Sequence, residues 1–516
     1  MAITESIDEG FEMDEIKHYA TRPEDKLSVG QKVTYGLGAF ANNLLGTATQ
    51  GLTIALNLGL GMDPAKIGLL GALPRITDAL TDPMMGYISD HTRTRWGRRR
   101  PYIFIGSIFC GILFSLLWTL PTAADTTFWG FELPPMVDGA RDAFYFWYFL
   151  IGSILFYIAY TVWVTPWVAL GYELTPDYHE RTRVMGWSNF IGQLAYLLTP
   201  WFLWFMQRDI FGDIIRGATF LALAISIVVV ICGVASAIML RERFAEAMNK
   251  KDLVNAALGV QREAGPTFAE SIADFFKGFW ISLKFLPFLK LCGVAFLIFN
   301  GFMLVASFSI YVWIYYVCGG DKELGGQISG QAGTITGVVA FLIVIVVTKL
   351  GTHLGKKRAF YITTGISVVG YLSKWWLFTP ENPQLSLIPG IFIAFGFGGL
   401  FPLVGSMIAD VCDLDELETY QRREGMFGSI FWWVIKVGMA AALAAGGFML
   451  NWTGFDVELA AQSADTILWL RILDAVVPAM TSVLAIYLMS RFEITEERAH
   501  EVRAELDKRK AIADKS

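Results

Sequence analysis

The chain has 516 residues, of which 54% are hydrophobic and only 17% charged. A soluble domain carries about 25% charge, so this composition reads as a polytopic membrane protein. The 41 basic residues are scattered rather than gathered in one stripe, which leaves no nucleic-acid surface. The 5 cysteines show no paired spacing, and the net charge of −6 assigns no partner.

In chain order, residues 1–26 are an acidic tail with no basic run leading into an apolar one. No cleavable signal is therefore expected, and the first span serves as the insertion signal. Apolar runs of about 20 residues follow at 30–60, 67–89, 102–121, 143–171, 186–206 and 217–240. A polar break at 241–287 is predicted as a cytoplasmic loop, with an amphipathic stretch from Phe268 to Phe285. The second set of runs is 288–317, 328–349, 359–378, 387–409, 426–450 and 468–490. Residues 491–516 are charged and read as a solvated cytoplasmic helix or tail without assigned function.

The fold class is thus all-α, with twelve transmembrane helices in two six-helix bundles, 27–240 and 288–490. The halves echo each other. Gly97-Arg98-Arg99-Arg100 after the second span matches Gly355-Lys356-Lys357-Arg358 after the eighth. Arg181 and Arg183 before Met185 match Arg422 and Arg423 before Met426. Basic connections on one side and acidic ones on the other place both termini in the cytoplasm, in a plasma (inner) membrane. A repeated six-helix unit is a transporter pattern, with substrate held between the halves near mid-membrane.

Asp78 and Asp82 lie in the second span, four residues apart, on one helix face. Each carboxylate at mid-bilayer costs about 2.5–3.5 kcal/mol on an insertion scale. The pair, with Thr81 beside it, offers hard oxygen ligands for Na⁺ or a site for proton exchange. Arg75, one turn away, is an alternative partner that would merely lock a carboxylate. Lys436 lies deep in the eleventh span and needs a counter-charge, for which Asp78 and Asp82 are the candidates. Asn42, Asn43 and Asn189 either join helices or bind a polyol. Tyr160, Trp163 and Trp167 share a helix face, and Trp432 adjoins Lys436; all four are candidates for stacking on a sugar ring. Arg98, Arg181, Asp410, Asp413, Glu416 and Arg422 are candidates for ion pairs that gate the cytoplasmic mouth. No nucleophile–base set, zinc spacing or nucleotide loop is present, so the chain is read as no enzyme and as needing no cofactor beyond a coupling ion.

Four stretches resemble the glycoside–pentoside–hexuronide:cation symporters, the melibiose permease family of the major facilitator superfamily. They are Tyr35-Gly36-Leu37-Gly38-Ala39-Phe40; Asp78 to Gly86 continuing through Thr92 to Arg98; Tyr160-Thr161 with Pro166; and Ala409-Asp410 through Asp413, Glu416, Arg422, Glu424 and Lys436. The resemblance implies a cation site at Asp78, Asp82 and Thr161, with Thr81 where sodium-coupled melibiose permeases have asparagine, and Lys436 close by. It also marks a departure. The two aspartates and the arginine that bind galactosides in that family align with Asn43, Val164 and Asn189, and a sugar-contacting tryptophan aligns with Val168. The resemblance therefore implies Na⁺- or H⁺-coupled symport of a sugar or glycoside other than melibiose, by a protein expected to work as a monomer in the lipid bilayer. Two alternatives stand beside it: a cation-coupled carrier of lysolipid or another amphipathic solute, and a non-transporting sugar sensor.

Overall fold

The computed structural model describes residues 23–122, 125–134, 140–175, 177–242, 270, 273, 277–278, 280–282, 284–420, 424–459 and 461–513. Helix α1 (Val29–Gly51) starts at Ser28, whose hydroxyl accepts from the Gln31 amide while Gln31 caps Ser28 in return. After a break at Leu52–Thr53 the crossing resumes as α2 (Ile54–Leu60) and stops at Gly61, where φ is 67°. Helix α3 (Pro64–His91) is capped by Asp63 and contains Pro74 and Pro83. Helix α4 (Arg100–Leu117) leads through a small hairpin, β1 (Thr127–Phe128) and β2 (Phe131–Glu132), to α5 (Ala140–Glu173), which contains Pro166.

The fifth crossing consists of α6 (Tyr178–Leu198) and α7 (Phe202–Met206), joined by a 3-10 turn at Thr199–Trp201. It begins well before the expected 186, because Asp177 caps a polar first turn. Helix α8 (Ile214–Met239) ends the first group. The second group opens with α9 (Leu286–Tyr311), which widens into a π-helix at Val312–Val317. It continues with α10 (Lys322–Leu354), α11 (Lys356–Leu377), α12 (Ile388–Thr419), α13 (Glu424–Trp452) and α14 (Ala464–Ser490).

Two expectations need correction. The gate candidates Asp410, Asp413 and Glu416 lie beyond the expected tenth run, 387–409, but they ride on its helix, since α12 runs on to Thr419. The C-terminal segment is a helix, as one of its two readings had it, α15 (Glu496–Ala513), but one side of it is docked: Val502 and Leu506 are buried and Arg509 donates to the Leu417 carbonyl of α12. The amphipathic stretch at 268–285 falls largely outside the described residues.

Among the described residues, eight crossings are long and apolar enough to span a bilayer by composition alone: those of α4, α5, α8, α9, α10, α12, α13 and α14. The others, α1–α2, α3, α6–α7 and α11, carry amides or charges in mid-run. Those charges are affordable only against protein or water. The hydropathy dip of α3 marks the carboxylate pair and that of α11 marks Lys374, whereas Lys436 and Asp474 lie in crossings that remain apolar overall.

Helix α1 packs on α6 and α8, α4 on α5 and α8, and α3 on α5. In the second group α9 packs on α13 and α14, α11 on α12 and α14, and α10 on α12. One apolar core, around Leu45, Phe114 and Phe156, fills the first group and continues into the second through Phe308, Tyr311, Leu450 and Leu470; a second core, around Phe288, Phe360 and Phe427, lies within the second group. The groups meet through α3 against α13 and through α10 against α6 and α7. They are closed together at the end reached by Leu60 and Trp452, here the far end. A Cβ on Gly68 would lie 2.6 Å from the Leu443 carbonyl oxygen, and one on Gly447 2.2 Å from that of Pro64. Only glycine permits this approach. Far-end hydrogen bonds run from Asn451 to Asp63 (2.7 Å), from Tyr311 to Asn57 (3.1 Å) and from Trp201 to Thr334 (2.8 Å). Arg208 and Glu323 add an ion pair at 3.3 Å.

Candidate cation and substrate site

Helices α3 and α5 lie side by side, and each presents two oxygen-bearing residues four apart. The Thr161 hydroxyl donates to Oδ1 of Asp78 at 3.0 Å, and the Thr165 hydroxyl donates to Oδ1 of Asp82 at 3.0 Å. Thr81 stands next to this ladder. Its hydroxyl bonds its own backbone at Thr77 and lies 3.1 Å from that of Thr161. Asp78 is fully buried, while Asp82 is a third exposed.

Lys436 reaches across from α13 in the other half. Its Nζ lies 2.9 Å from Oδ2 of Asp78 and donates to Oδ2 of Asp82. Among the described contacts, the Lys436 ammonium is the partner of the buried Oδ2 of Asp78. The two outward oxygens, Asp78 Oδ2 and Asp82 Oδ2, are thus held together by one ammonium. Arg75 takes another place. It is buried over the Tyr157 ring, 4.9 Å from its centroid, and forms no ion pair with Asp78 among the described contacts.

The amides act as helix joints. The Tyr160 hydroxyl donates to Asn42 (2.7 Å), Asn42 donates to Asn43 (3.3 Å), and Asn43 donates to the Gly192 carbonyl of α6 (3.1 Å). This chain ties α5, α1 and α6 together. Asn189 is exposed. Trp432 is 55% exposed and stacks on Phe401, with centroids 5.6 Å apart. Trp163 and Trp167, offered by their spacing as sugar platforms, are instead inside the first core. Trp163 is packed against Gly106 of α4, and Trp167 stacks on Tyr35 at 4.8 Å. Helical spacing groups them on a face; the neighbouring helices α4, α8 and α1 then cover that face. Val164 and Val168 are half-buried beside the same core.

The contacts described for Arg98, Arg181, Asp410 and Asp413 lie inside their own halves. Arg98 bonds Glu173 and lies 3.6 Å from Glu242. Arg181 donates to the Thr175 carbonyl at 3.4 Å. Asp410 pairs with Lys356 at 2.6 Å, and Asp413 with Arg503 of α15 at 3.7 Å. Glu416 lies near the end of α12, and Arg422 lies outside the described residues. Thr165 was missed by sequence reasoning. Its signal was available: it stands four residues after Thr161, the same step that separates Asp78 from Asp82.

Residues 34–496 match the MFS/sugar transport protein family. The chain belongs to that family. It is a multi-pass membrane transporter of the major facilitator fold, and not an enzyme. An uncharacterized symporter of Synechocystis sp. is 26% identical, over 94% of this chain and 98% of its own. The putative glycoside/cation symporter YagG of Escherichia coli is 23% identical, over 94% of this chain and 96% of its own. Among solved structures, the xylose transporter XylE from E. coli, in a partially occluded inward-open conformation, superposes with a TM-score of 0.57 at 15% identity. That match covers 91% of this chain and 98% of XylE, and it concerns the fold alone.

Proposed function

We propose that this transporter carries a sugar or glycoside into the cell together with Na⁺ or H⁺, by alternating access between its two halves. The supporting observation is the ladder of Asp78, Asp82, Thr161 and Thr165 in one half, bridged by Lys436 from the other. Four side chains bearing hard oxygens suit a small cation. The ammonium occupies the space between the two carboxylates that an incoming Na⁺ would share. A cation that displaces Lys436 would release a bond between the halves, which links ion binding to rocking. A proton on one carboxylate would do the same by weakening the pair.

The substrate belongs between the halves, with Asn189 and Trp432 as its exposed candidates. Glycoside transport is favoured by the resemblance to the glycoside–cation symporters and by the name of the YagG relative. Melibiose is not the expected cargo. Asn43, Val164 and Asn189 stand where charged partners would be, and each missing charged hydrogen bond costs about 1.5–3 kcal/mol. The cycle needs no cofactor beyond the coupling ion, and the termini are assigned to the cytoplasm of a plasma membrane.

The test is thermal stabilisation of the purified protein across a panel of glycosides and lysolipids, with and without Na⁺, at two pH values. At least one glycoside should raise Tm, and Na⁺ or low pH should enhance the shift, while melibiose gives none. Stabilisation by lysolipids alone would move the protein to the amphipath-carrier class.

A further inference from the structure

A second buried ion pair lies in the other half. Lys374 of α11 is 5% exposed and Asp474 of α14 is 2% exposed, with Nζ 2.8 Å from Oδ1. Ser309 of α9 completes the cluster: Lys374 donates to its hydroxyl at 2.8 Å, and that hydroxyl donates to Asp474. Three helices are thereby tied at one point. Charges inside a membrane half are costly and mark sites by default, yet the proposed cation site makes no use of these.

What they hold is the last turn of α9. Just beyond Ser309 the helix changes from α to π, over Val312–Val317. Such a change is a local weakness that recurs at functional positions. A second clamp lies on the far side of the change. Arg471 of α14 stacks over Tyr316 at 4.3 Å and over Trp375 at 4.5 Å, and donates to the Trp375 carbonyl. Between the two clamps sits Tyr311, whose hydroxyl donates to Asn57 of α2 in the opposite half. Both Tyr311 and Asn57 are buried, and Asn57 is fixed in turn by donating to the Met62 carbonyl. Opening of the far end must break this contact.

We propose that Lys374, Asp474 and Ser309 are positioning residues that hold the far end of α9 in register with α2, so that Tyr311 meets Asn57 and the far end stays shut. The inference rests on the alternating-access reading and adds the element that sets its conformational balance.

The test uses full-length protein with its cysteines replaced and spin labels at Ile210→Cys and Lys322→Cys, one per half at the far end, measured by double electron–electron resonance without sugar or Na⁺. Tyr311→Phe removes only the hydroxyl and should add a longer-distance population. Lys374→Met/Asp474→Leu should add the same population, and the triple variant should add no more than the double. Ser309→Ala, which releases α9 but keeps the ion pair, should shift the distances in the same direction and serves if the double variant does not fold. Wild-type distances in Ser309→Ala, or in a folded Lys374→Met/Asp474→Leu protein, would overturn the proposal and leave the cluster as mere packing. A shift in the triple variant equal to the sum of its parts would also overturn it. Failure of the transport reading would look different: a wild-type distance that no sugar or cation changes.

Discussion

At the scale of single residues, transport is proposed to turn on two carboxylates that share one ammonium. Asp78→Asn and Asp82→Asn keep the shape but remove a ligand charge and a proton site. Each is expected to abolish concentrative uptake while leaving substrate binding measurable by equilibrium dialysis. Full uptake by both variants would contradict the cation assignment. Among the described residues, Lys436 is the cation that meets both carboxylates. Lys436→Met should leave two facing carboxylates without it. Breaking a buried pair from one side costs about 3–5 kcal/mol, and the loss should be larger for Lys436→Met than for a surface change such as Lys284→Met. Added Na⁺ should recover part of the lost thermal stability if the cation occupies the vacated space; absence of any recovery would argue for protons.

At the scale of elements, the positions of the crossings could be read from apolar runs, whereas the partners of buried side chains could not. Asp78, Asp82 and Lys436 stood out because a charge in an apolar run has few explanations. Thr165 did not, because a hydroxyl can satisfy itself on its own helix. Trp163 and Trp167 misled for a related reason: spacing gives the face and says nothing of which helix covers it. Lys374 and Asp474 are also charges in apolar runs, yet the sequence reading passed over both, and nothing in the sequence joins residues a hundred positions apart.

The connection between α3 and α4 shows how one carboxylate fixes a loop. Glu242, just past α8, accepts from the backbone amides of Arg98 (3.0 Å) and Arg99 (3.2 Å), where α4 begins. Gly97 has a φ of 112°, and a Cβ there would lie 2.1 Å from Oε2 of Glu242. Gly97→Ala thus combines a strained backbone with a clash. The strain alone is of order 1–3 kcal/mol, and a fall in Tm should follow. Burial pushes the Glu242 carboxyl above its ordinary 4.5, although the Arg98 and Arg99 amides and guanidinium groups oppose the shift. A carboxyl raised in the native state holds its proton more tightly there. Its contribution is full below the ordinary value and is lost as pH rises through the raised one. Wild type should therefore lose Tm relative to Glu242→Gln as pH rises from about 4.5. The opposite trend would show that the amides win.

At the scale of the whole molecule, the halves meet at the far end through an apolar cluster, close glycine contacts and a few polar bonds, and at the centre through Lys436. Gly68 and Gly447 allow the backbones of α3 and α13 to meet. Gly68→Leu should hold them apart and favour far-end opening, read as faster thiol labelling of a cysteine placed at Asn451. Unchanged labelling would mean that the close approach is not what shuts that end.

The central claim is that an ion gradient acting through Asp78 and Asp82 drives sugar uptake. It is tested most directly in proteoliposomes containing purified protein, with a radiolabelled glycoside identified by the stabilisation screen. An inward Na⁺ or H⁺ gradient should drive accumulation above equilibrium in wild type. Asp78→Asn should abolish that accumulation while still exchanging label with unlabelled glycoside. Equal accumulation with and without every imposed gradient, or full gradient-driven accumulation by Asp78→Asn, would contradict the account.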